Sequence, residues 1–331
     1  MPITNRLCVL GGLLLILPCV TATGAENELR RQAETLFGTL DPVTAEEKND
    51  PVVDLGRALF WDESLSLNGG IACASCHLAE DWGADRRLRS IDARGNPTRR
   101  HSQTVFNTQA AAAGLRWLGD RASGAAQARG SVTGSMGFAG HEDLIPALRS
   151  GNYAVRFEAA YPEQTQPLTV DNYARALQAY QETLRTPAPF DDWLRGDAEA
   201  MSEQQQRGLR HFIEIGCAGC HDGALLGGNR LAKFGLLNDF RPLTGSSEED
   251  VGLMLSTGEE ADRDMFRIQP LRNVAATAPY FHDGSVQSLE RAVAVMAELQ
   301  LGEDLNAGVI GDIVAFLHAL SGEVPSHYGP P

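Results

Sequence analysis

Basic residues and cysteines are scarce in this sequence of 331 residues. Lys and Arg number 28 against 43 Asp and Glu, which gives a formal net charge of −15. That balance excludes the basic surface that nucleic-acid binding requires, and it suits a basic partner protein or a neutral small substrate. Six cysteines are too few for a disulfide scaffold in a chain of this length.

Long hydrophobic runs are also absent, apart from one at the N-terminus. Arg6 precedes an apolar run over residues 7–17, and small residues follow up to Ala25. The run is shorter than the ~20 residues of a membrane span, so the pattern predicts a cleaved signal peptide over residues 1–25 and a periplasmic location. An uncleaved anchor and a lipoprotein site at Cys19 are the alternatives.

The remaining cysteines all belong to C-x-x-C-H motifs. The motifs are Cys73-Ala-Ser-Cys76-His77 and Cys217-Ala-Gly-Cys220-His221. This spacing is typical of c-type haem attachment, because two thiols bond the vinyl groups of one porphyrin and the adjacent imidazole ligates its iron. A zinc site would leave both histidines unexplained, and a thioredoxin-like motif needs a βαβ context that the sequence lacks. The sequence therefore predicts two covalently bound c-type haems.

The wide separation of the motifs predicts two cytochrome c-like domains, each with one haem, in a mainly α fold. Sustained strand alternation is scarce, which supports the helical class. The first domain is predicted over residues 26–189 and the second over residues 190–331. The segment Thr186–Pro189 is the predicted linker, because it holds two prolines between helical patterns.

Helical spacing and capping residues predict a helix on each side of both motifs. In the first domain these helices cover residues 52–60 and 170–184. In the second domain Ser202 is the predicted N-cap of a helix that runs to about Glu214. Apolar residues between 310 and 320 predict a C-terminal helix, with Gly322 as its stop.

Several stretches outside the motifs resemble the bacterial di-haem cytochrome c peroxidases, a family related to MauG, the enzyme that matures methylamine dehydrogenase. The likeness covers nearly all of the chain after the signal segment. The stretches that carry it are Leu55–Phe60, Thr104–Asn107, Phe190–Asp197, Phe266–Asn273, Ala278–Gly284 and Gln300–Gly302.

The resemblance implies different roles for the two haems. The haem on His77 is expected to split peroxide, and the haem on His221 to receive electrons from a small carrier. A Met sulfur opposite His221 would raise the potential of the second haem. Met254, Met265 and Met296 are the candidates, and the family motif places the ligand at Met296. Spacing alone leaves open that Met296 is a core residue on a helix face.

Further site residues follow from the resemblance alone. Trp117 matches a tryptophan between the haems, and Gln127 matches a glutamine of the peroxide site. His282 and Asp283 match a polar pair near the haem interface. Backbone oxygens of Thr277 and Pro279 would bind a calcium ion. From the residues themselves, Trp117 also fits a core aromatic and His282 a structural hydrogen bond.

The chain departs from the family pattern at three places. Ala93 stands where many members carry a histidine that blocks the first iron. His101 replaces an asparagine that helps to bind calcium. The distal glutamate is missing, since Gly137 or Ser135 takes its position. Glu142, or the neighbouring Asp143, is the candidate to move the proton instead.

The resemblance implies a periplasmic peroxidase that reduces hydrogen peroxide to water. Its electrons would come from a small cytochrome c or cupredoxin, and a homodimer is the further expectation. Two alternatives stay open at this point. One is a MauG-like oxidase of a protein aromatic residue, against which Met296 counts, because MauG has a tyrosine there. The other is a di-haem electron carrier without chemistry of its own, which the missing glutamate favours.

Overall fold

The computed structural model describes residues 22–108, 113–247 and 249–331, with side chains from residue 26 onward. The predicted signal segment therefore lies largely outside the described residues. The helices are α1 (Ala22–Leu36), α2 (Ala45–Lys48), α3 (Pro51–Trp61), α4 (Gly124–Thr133), α5 (Leu144–Ser150), α6 (Ala154–Ala160), α7 (Val170–Glu182), α8 (Pro189–Leu194), α9 (Glu203–Glu214), α10 (Arg241–Thr244), α11 (Met254–Thr257), α12 (Leu289–Met296) and α13 (Ala307–His318).

The predicted helical class is confirmed for the described residues. Strand structure is confined there to a small antiparallel sheet of β1 (Leu231–Lys233) and β2 (Met265–Arg267), in which Ala232 pairs with Phe266. In the described part of the chain, no helix combines the length and the apolar composition that crossing a bilayer requires.

The first core forms where α3 and α4 pack against α7. Asp50 caps α3 by accepting a hydrogen bond from the backbone N–H of Val52, and Pro51 occupies the first turn, where no N–H is needed. Gly56 lets α3 approach α7 closely, since a Cβ there would lie 1.9 Å from the carbonyl oxygen of Ala176. The predicted helix at 52–60 is therefore confirmed, with its packing face.

The second core repeats this construction with α9 and α13. Ser202 and Gln205 form a capping box at the start of α9, as the sequence predicts for Ser202. A Cβ on Gly208 would lie 1.8 Å from the carbonyl oxygen of Asp312, so glycine again permits close helix contact. The core continues through Phe212 and Phe316, whose ring centroids are 5.3 Å apart.

The role predicted for Gly322 is wrong. Helix α13 ends at His318, four residues before this glycine. Gly322 instead passes close to the backbone of the predicted linker, where a Cβ would lie 2.4 Å from the carbonyl oxygen of Pro187. Its N–H donates to Oδ1 of Asn273 at 3.1 Å. Close backbone approach, rather than a helix end, explains the glycine.

The predicted linker is held by burial of Thr186 and Ala188 and by hydrogen bonds. Thr186 is 1% exposed, and its hydroxyl accepts hydrogen bonds from the amides of Asn107 and Asn273 at 2.7 and 2.9 Å. These bonds join segments of both predicted domains at their junction. A linker of this kind fixes the two halves instead of letting them move.

Both ends of the described chain cross the predicted domain boundary. Helix α1 and Phe37 pack in the second core, against Phe190 and Phe212. Tyr328, near the C-terminus, packs in the first core. The division at residues 189 and 190 stays a prediction, but each terminal segment contributes its apolar surface to the other half.

Candidate haem sites

The two C-x-x-C-H motifs fold in the same way. Each follows a long helix of its core, α3 or α9, and each opens with a short 3-10 turn, Cys73–Ser75 or Cys217–Gly219. The turn brings the N–H of the second cysteine to the carbonyl oxygen of the first, at 3.2 Å in the first motif and 3.1 Å in the second. Both thiols of a motif and the following imidazole are thus held on one short segment.

Each motif histidine is oriented by a backbone carbonyl. Nδ1 of His77 lies 2.9 Å from the oxygen of Gly83, and Nδ1 of His221 lies 3.0 Å from the oxygen of Leu226. Because a carbonyl only accepts, Nδ1 must carry the proton, which leaves the lone pair of Nε2 free for a metal. Burial lowers the pKa of both imidazoles and so favours the neutral form that ligates iron.

A mainly apolar cavity of about 310 Å³ opens beside the second motif. Cys217, Cys220 and His221 line it, and so does Met296. Of the candidate methionines, Met254 and Met265 do not line this cavity, whereas Met296 sits where α12 passes into the π turn Ala297–Leu301. Such turns frequently mark functional sites.

The donor set of this cavity fits a covalently bound haem. Two thiols, an imidazole with its Nε2 lone pair available and a thioether sulfur meet at apolar walls. A zinc ion needs four close polar ligands and would leave most of this apolar cavity unfilled. The first motif has the same two thiols and the same oriented imidazole. Phe60 packs beside the ring of His77 as Phe212 packs beside the ring of His221, with ring centroids 6.3 Å apart in both pairs.

Trp117 reaches the cavity of the second motif from the first half of the chain. Its indole N–H donates to the backbone oxygen of His101 at 2.9 Å, and the N–H of His101 donates to the backbone oxygen of His282 at 2.8 Å. The indole and the ring of His282 meet edge-on, with centroids 6.4 Å apart. The structure therefore brings Trp117, His101 and His282 together at one wall.

The chain is 37% identical to the cytochrome c551 peroxidase of Pseudomonas aeruginosa, over 97% of its own length and 94% of that protein. The chain belongs to the di-haem cytochrome c peroxidase family. The family profile, described as di-haem cytochrome c peroxidase, matches residues 50–199.

Further relatives agree with this family assignment. The cytochrome c551 peroxidase of Nitrosomonas europaea is 34% identical, over 84% of this chain and 82% of that protein. Among solved structures, a MauG-like protein associated with microbial copper homeostasis superposes with a TM-score of 0.76. It is 27% identical and covers 88% of this chain and 97% of its own.

His282 has two acidic neighbours in this family member. Asp283, the predicted one, accepts the N–H of Ser285 at 3.1 Å and attracts the His282 ring electrostatically. Nε2 of His282 also lies 4.0 Å from the carboxylate of Asp250, which Arg100 binds through two hydrogen bonds of 2.7 Å. Burial opposes ionisation of Asp250, but the bonds from Arg100 outweigh it and lower the pKa of this carboxyl. Sequence analysis found neither Asp250 nor Arg100, because each stands in a short run of like charges in which no residue is marked out from its neighbours.

Ala93 and Gly137, two residues that are expected to depart from the family pattern, lie next to each other in the structure. Ala93 is buried, and its N–H donates to the carbonyl oxygen of Ser135 at 2.8 Å. A Cβ on Gly137 would lie 3.0 Å from the Cβ of Ala93. A larger side chain at either position would therefore require the other segment to move. The two loops are fitted to each other in this chain.

The proposed proton donor and peroxide ligand lie on different elements. Gln127 is half-buried on α4. Glu142 is exposed in the 3-10 turn His141–Asp143, and its carboxylate makes no hydrogen bond to a described residue. The neighbouring carboxylate of Asp143 is occupied as a cap, since it accepts the N–H of Gly140 at 2.7 Å. Of the two acids, Glu142 is the one left free for a proton.

The predicted calcium position adjoins the same cavity wall. Thr277 and Pro279 line the cavity, as does His101. The side chain of His101 is already engaged, since its Nδ1 lies 3.1 Å from the carbonyl oxygen of Arg87. No group of three or more His, Cys, Asp or Glu suited to a metal occurs among the described residues. Calcium stays a prediction that would depend on backbone oxygens.

Tyr328 is a residue of the first site that sequence analysis missed. Its hydroxyl donates to the backbone oxygen of His77, and its ring packs edge-on against Phe106 with centroids 4.8 Å apart. Arg57 holds the chain end by donating to the carbonyl oxygens of Gly329 and Pro330, both at 2.8 Å. A tyrosine beyond the last helix gave no local signal for this contact.

Proposed function

We propose that this protein is a periplasmic di-haem peroxidase that reduces hydrogen peroxide to water with electrons from a small redox protein, a cytochrome c or a cupredoxin. The reaction consumes two electrons and two protons for each peroxide and yields two waters. The observation that carries the proposal is the pair of C-x-x-C-H motifs, each with an imidazole oriented by a carbonyl, in a chain similar to cytochrome c551 peroxidases over nearly its whole length.

One c-type haem would be bound by Cys73, Cys76 and His77 and the other by Cys217, Cys220 and His221. When bound, these groups supply the one-electron redox chemistry of iron, which the protein adjusts through axial ligands and surroundings. Met296 would be the second axial ligand opposite His221, a role supported by its place in the cavity wall. Thioether ligation raises the potential and suits a site that receives electrons.

The chain's own groups have separate tasks in this proposal. Trp117 lies between the halves, and its N–H bond to His101 holds the indole in position for electron transfer. Gln127 would bind peroxide through its amide. Proton transfer to the leaving oxygen needs a nearby acid, and Glu142 is the proposed group. Thr277 and Pro279 would hold calcium between the halves through their backbone oxygens.

The proposed donor follows from charge as well as from the relatives. A net charge of −15 favours a basic carrier through long-range attraction, which speeds encounter at low ionic strength. Export by the predicted signal peptide would place the protein beside periplasmic carriers. A homodimer is part of the proposal.

Steady-state turnover of the two-haem protein with a panel of reduced carriers tests the proposal. We expect peroxide-dependent oxidation of at least one cytochrome c or cupredoxin, and no turnover in His77→Ala. Haem content should be two per chain, measured by pyridine haemochromogen. A protein with both haems that exchanges electrons with carriers but never consumes peroxide would be an electron carrier instead.

A MauG-like oxidase is the second candidate, and the likeness to the solved MauG-like protein favours it. The two functions differ in what peroxide oxidises. In the absence of a reduced carrier, a MauG-like enzyme would use peroxide to modify a partner protein covalently, and mass spectrometry of co-purified proteins would detect the change. A peroxidase would leave them unmodified.

A further inference from the structure

The cavity beside the second motif has walls of one charge sign. Although the chain is strongly acidic, no Asp or Glu occurs among the described residues that line this cavity. Three cationic side chains do line it, namely Lys233, Arg267 and Arg272. Cations gathered around an apolar cavity indicate an occupant that carries negative charge.

Only Arg267 is both buried and without an acidic partner. Arg272 is neutralised by Asp191, which it contacts through bonds of 2.6 and 2.9 Å. Lys233 is exposed to solvent, where water screens its charge. Arg267 is 6% exposed and forms no salt bridge to a described carboxylate. A buried, unpaired charge is costly, so its retention calls for a counter-ion.

The hydrogen bonds of Arg267 leave donors free. Nε donates to the carbonyl oxygen of Arg116 at 2.9 Å, and Nη1 donates to that of Gly114 at 3.1 Å. Nη2 donates to Oε1 of Gln269 at 3.2 Å. A guanidinium has five N–H groups, so two remain for an acceptor in the cavity. Burial lowers the pKa of Arg267 to about 10, which still leaves it a cation at neutral pH.

We infer that Arg267 binds a propionate carboxylate of the haem held by Cys217 and Cys220. This inference rests on the proposed haem attachment, since a porphyrin brings two carboxylates into an otherwise apolar cavity. A guanidinium and a carboxylate match in shape and charge, and their hydrogen bonds are strong in a buried site.

The same arginine also secures the tryptophan between the halves. Arg267 lies in β2, and its backbone N–H donates to the carbonyl oxygen of Trp117 at 2.7 Å. Its side chain holds the carbonyl oxygens of Gly114 and Arg116, in the segment just before Trp117. Arg267 is therefore a positioning residue that joins the proposed haem carboxylate to the segment that carries Trp117.

Spectroelectrochemical titration of the two-haem protein tests this inference. A nearby buried cation stabilises the reduced haem, so Arg267→Gln should lower the equilibrium constant for reduction of the second haem at least tenfold, which is 59 mV for one electron. Arg267→Lys keeps the charge and should lose less than Arg267→Gln. Lys233→Gln, the matched control, removes an exposed cation of the same wall and should change the constant less than threefold.

The outcomes separate this inference from the proposed function. A shift below threefold in Arg267→Gln, or a shift confined to the first haem, would overturn the inference. If Arg267→Gln fails to fold, Arg267→Met, which keeps the length of the side chain but removes the charge, is titrated in its place, and a shift below threefold in that variant would overturn the inference as well. Haem content and wild-type turnover are read separately, so a protein that holds both haems but lacks peroxidase activity contradicts the proposed function and not the role of Arg267, whereas a protein without the second haem contradicts both.

Discussion

The fully oxidised protein should react with hydrogen peroxide without prior reduction. By the resemblance to the peroxidases, Ala93 is expected at the position of the blocking histidine, and its side chain carries no atom that can ligate iron. The loop is also fastened, because the guanidinium of Arg94 donates to the carbonyl oxygens of Thr133, Gly134 and Phe138. We therefore expect the sixth position of the iron on His77 to stay open or water-filled in both redox states of the second haem.

His101 is the rival ligand, and the structure gives the cost of using it. Moving the segment of His101 would break three hydrogen bonds. His101 bonds the carbonyl oxygens of Arg87 and His282, and the indole N–H of Trp117 donates to the carbonyl oxygen of His101. Each is worth about 0.5–1.5 kcal/mol, so the total is about 1.5–4.5 kcal/mol. Since about 1.4 kcal/mol is a factor of ten, ligation by His101 starts roughly 10- to 1,000-fold disfavoured.

Electron paramagnetic resonance and stopped-flow mixing measure this directly. The oxidised protein should show a high-spin ferric signal beside the low-spin signal of the second haem, and turnover should begin without a lag. His101→Ala should change neither. A purely low-spin spectrum, with a lag that pre-reduction removes, would refute the reasoning. If His101→Ala then restored the high-spin signal, His101 would be the replacement ligand.

Three other predictions test the remaining site and the packing. Met296→Ala should abolish the thioether charge-transfer band of the oxidised protein and lower the potential of the second haem; an unchanged band would mean another ligand. Glu142→Gln should slow the reaction with peroxide by ~10²–10⁴-fold if this acid moves the proton, and a loss below about threefold would leave it a surface charge. Gly208→Ala forces a Cβ to within 1.8 Å of the carbonyl oxygen of Asp312. It should therefore cost about 1–3 kcal/mol or more in denaturant unfolding, whereas Gly311→Ala, in open space on α13, should stabilise by about 0.5–1 kcal/mol.

Features with a local cause could be predicted from the sequence. The spacing of two thiols and a histidine within five residues is set by the chemistry of one porphyrin. Both C-x-x-C-H motifs can therefore be recognised without knowledge of the tertiary structure. The helices at 52–60 and 170–184 and the cap at Ser202 follow from short-range periodicity and capping, and the structure confirms them within a few residues.

The site around the motifs depends on contacts between distant parts of the chain. Asp250 and Arg100 meet beside His282, and Tyr328 reaches His77 from the far end of the sequence. Arg267 lies in one of the stretches that carry the resemblance, but the sequence does not show that its side chain is buried or unpaired. Only the fold makes it a buried cation at a cavity wall without an Asp or Glu among the described residues, because burial and the pairing of charges are properties of the packed chain.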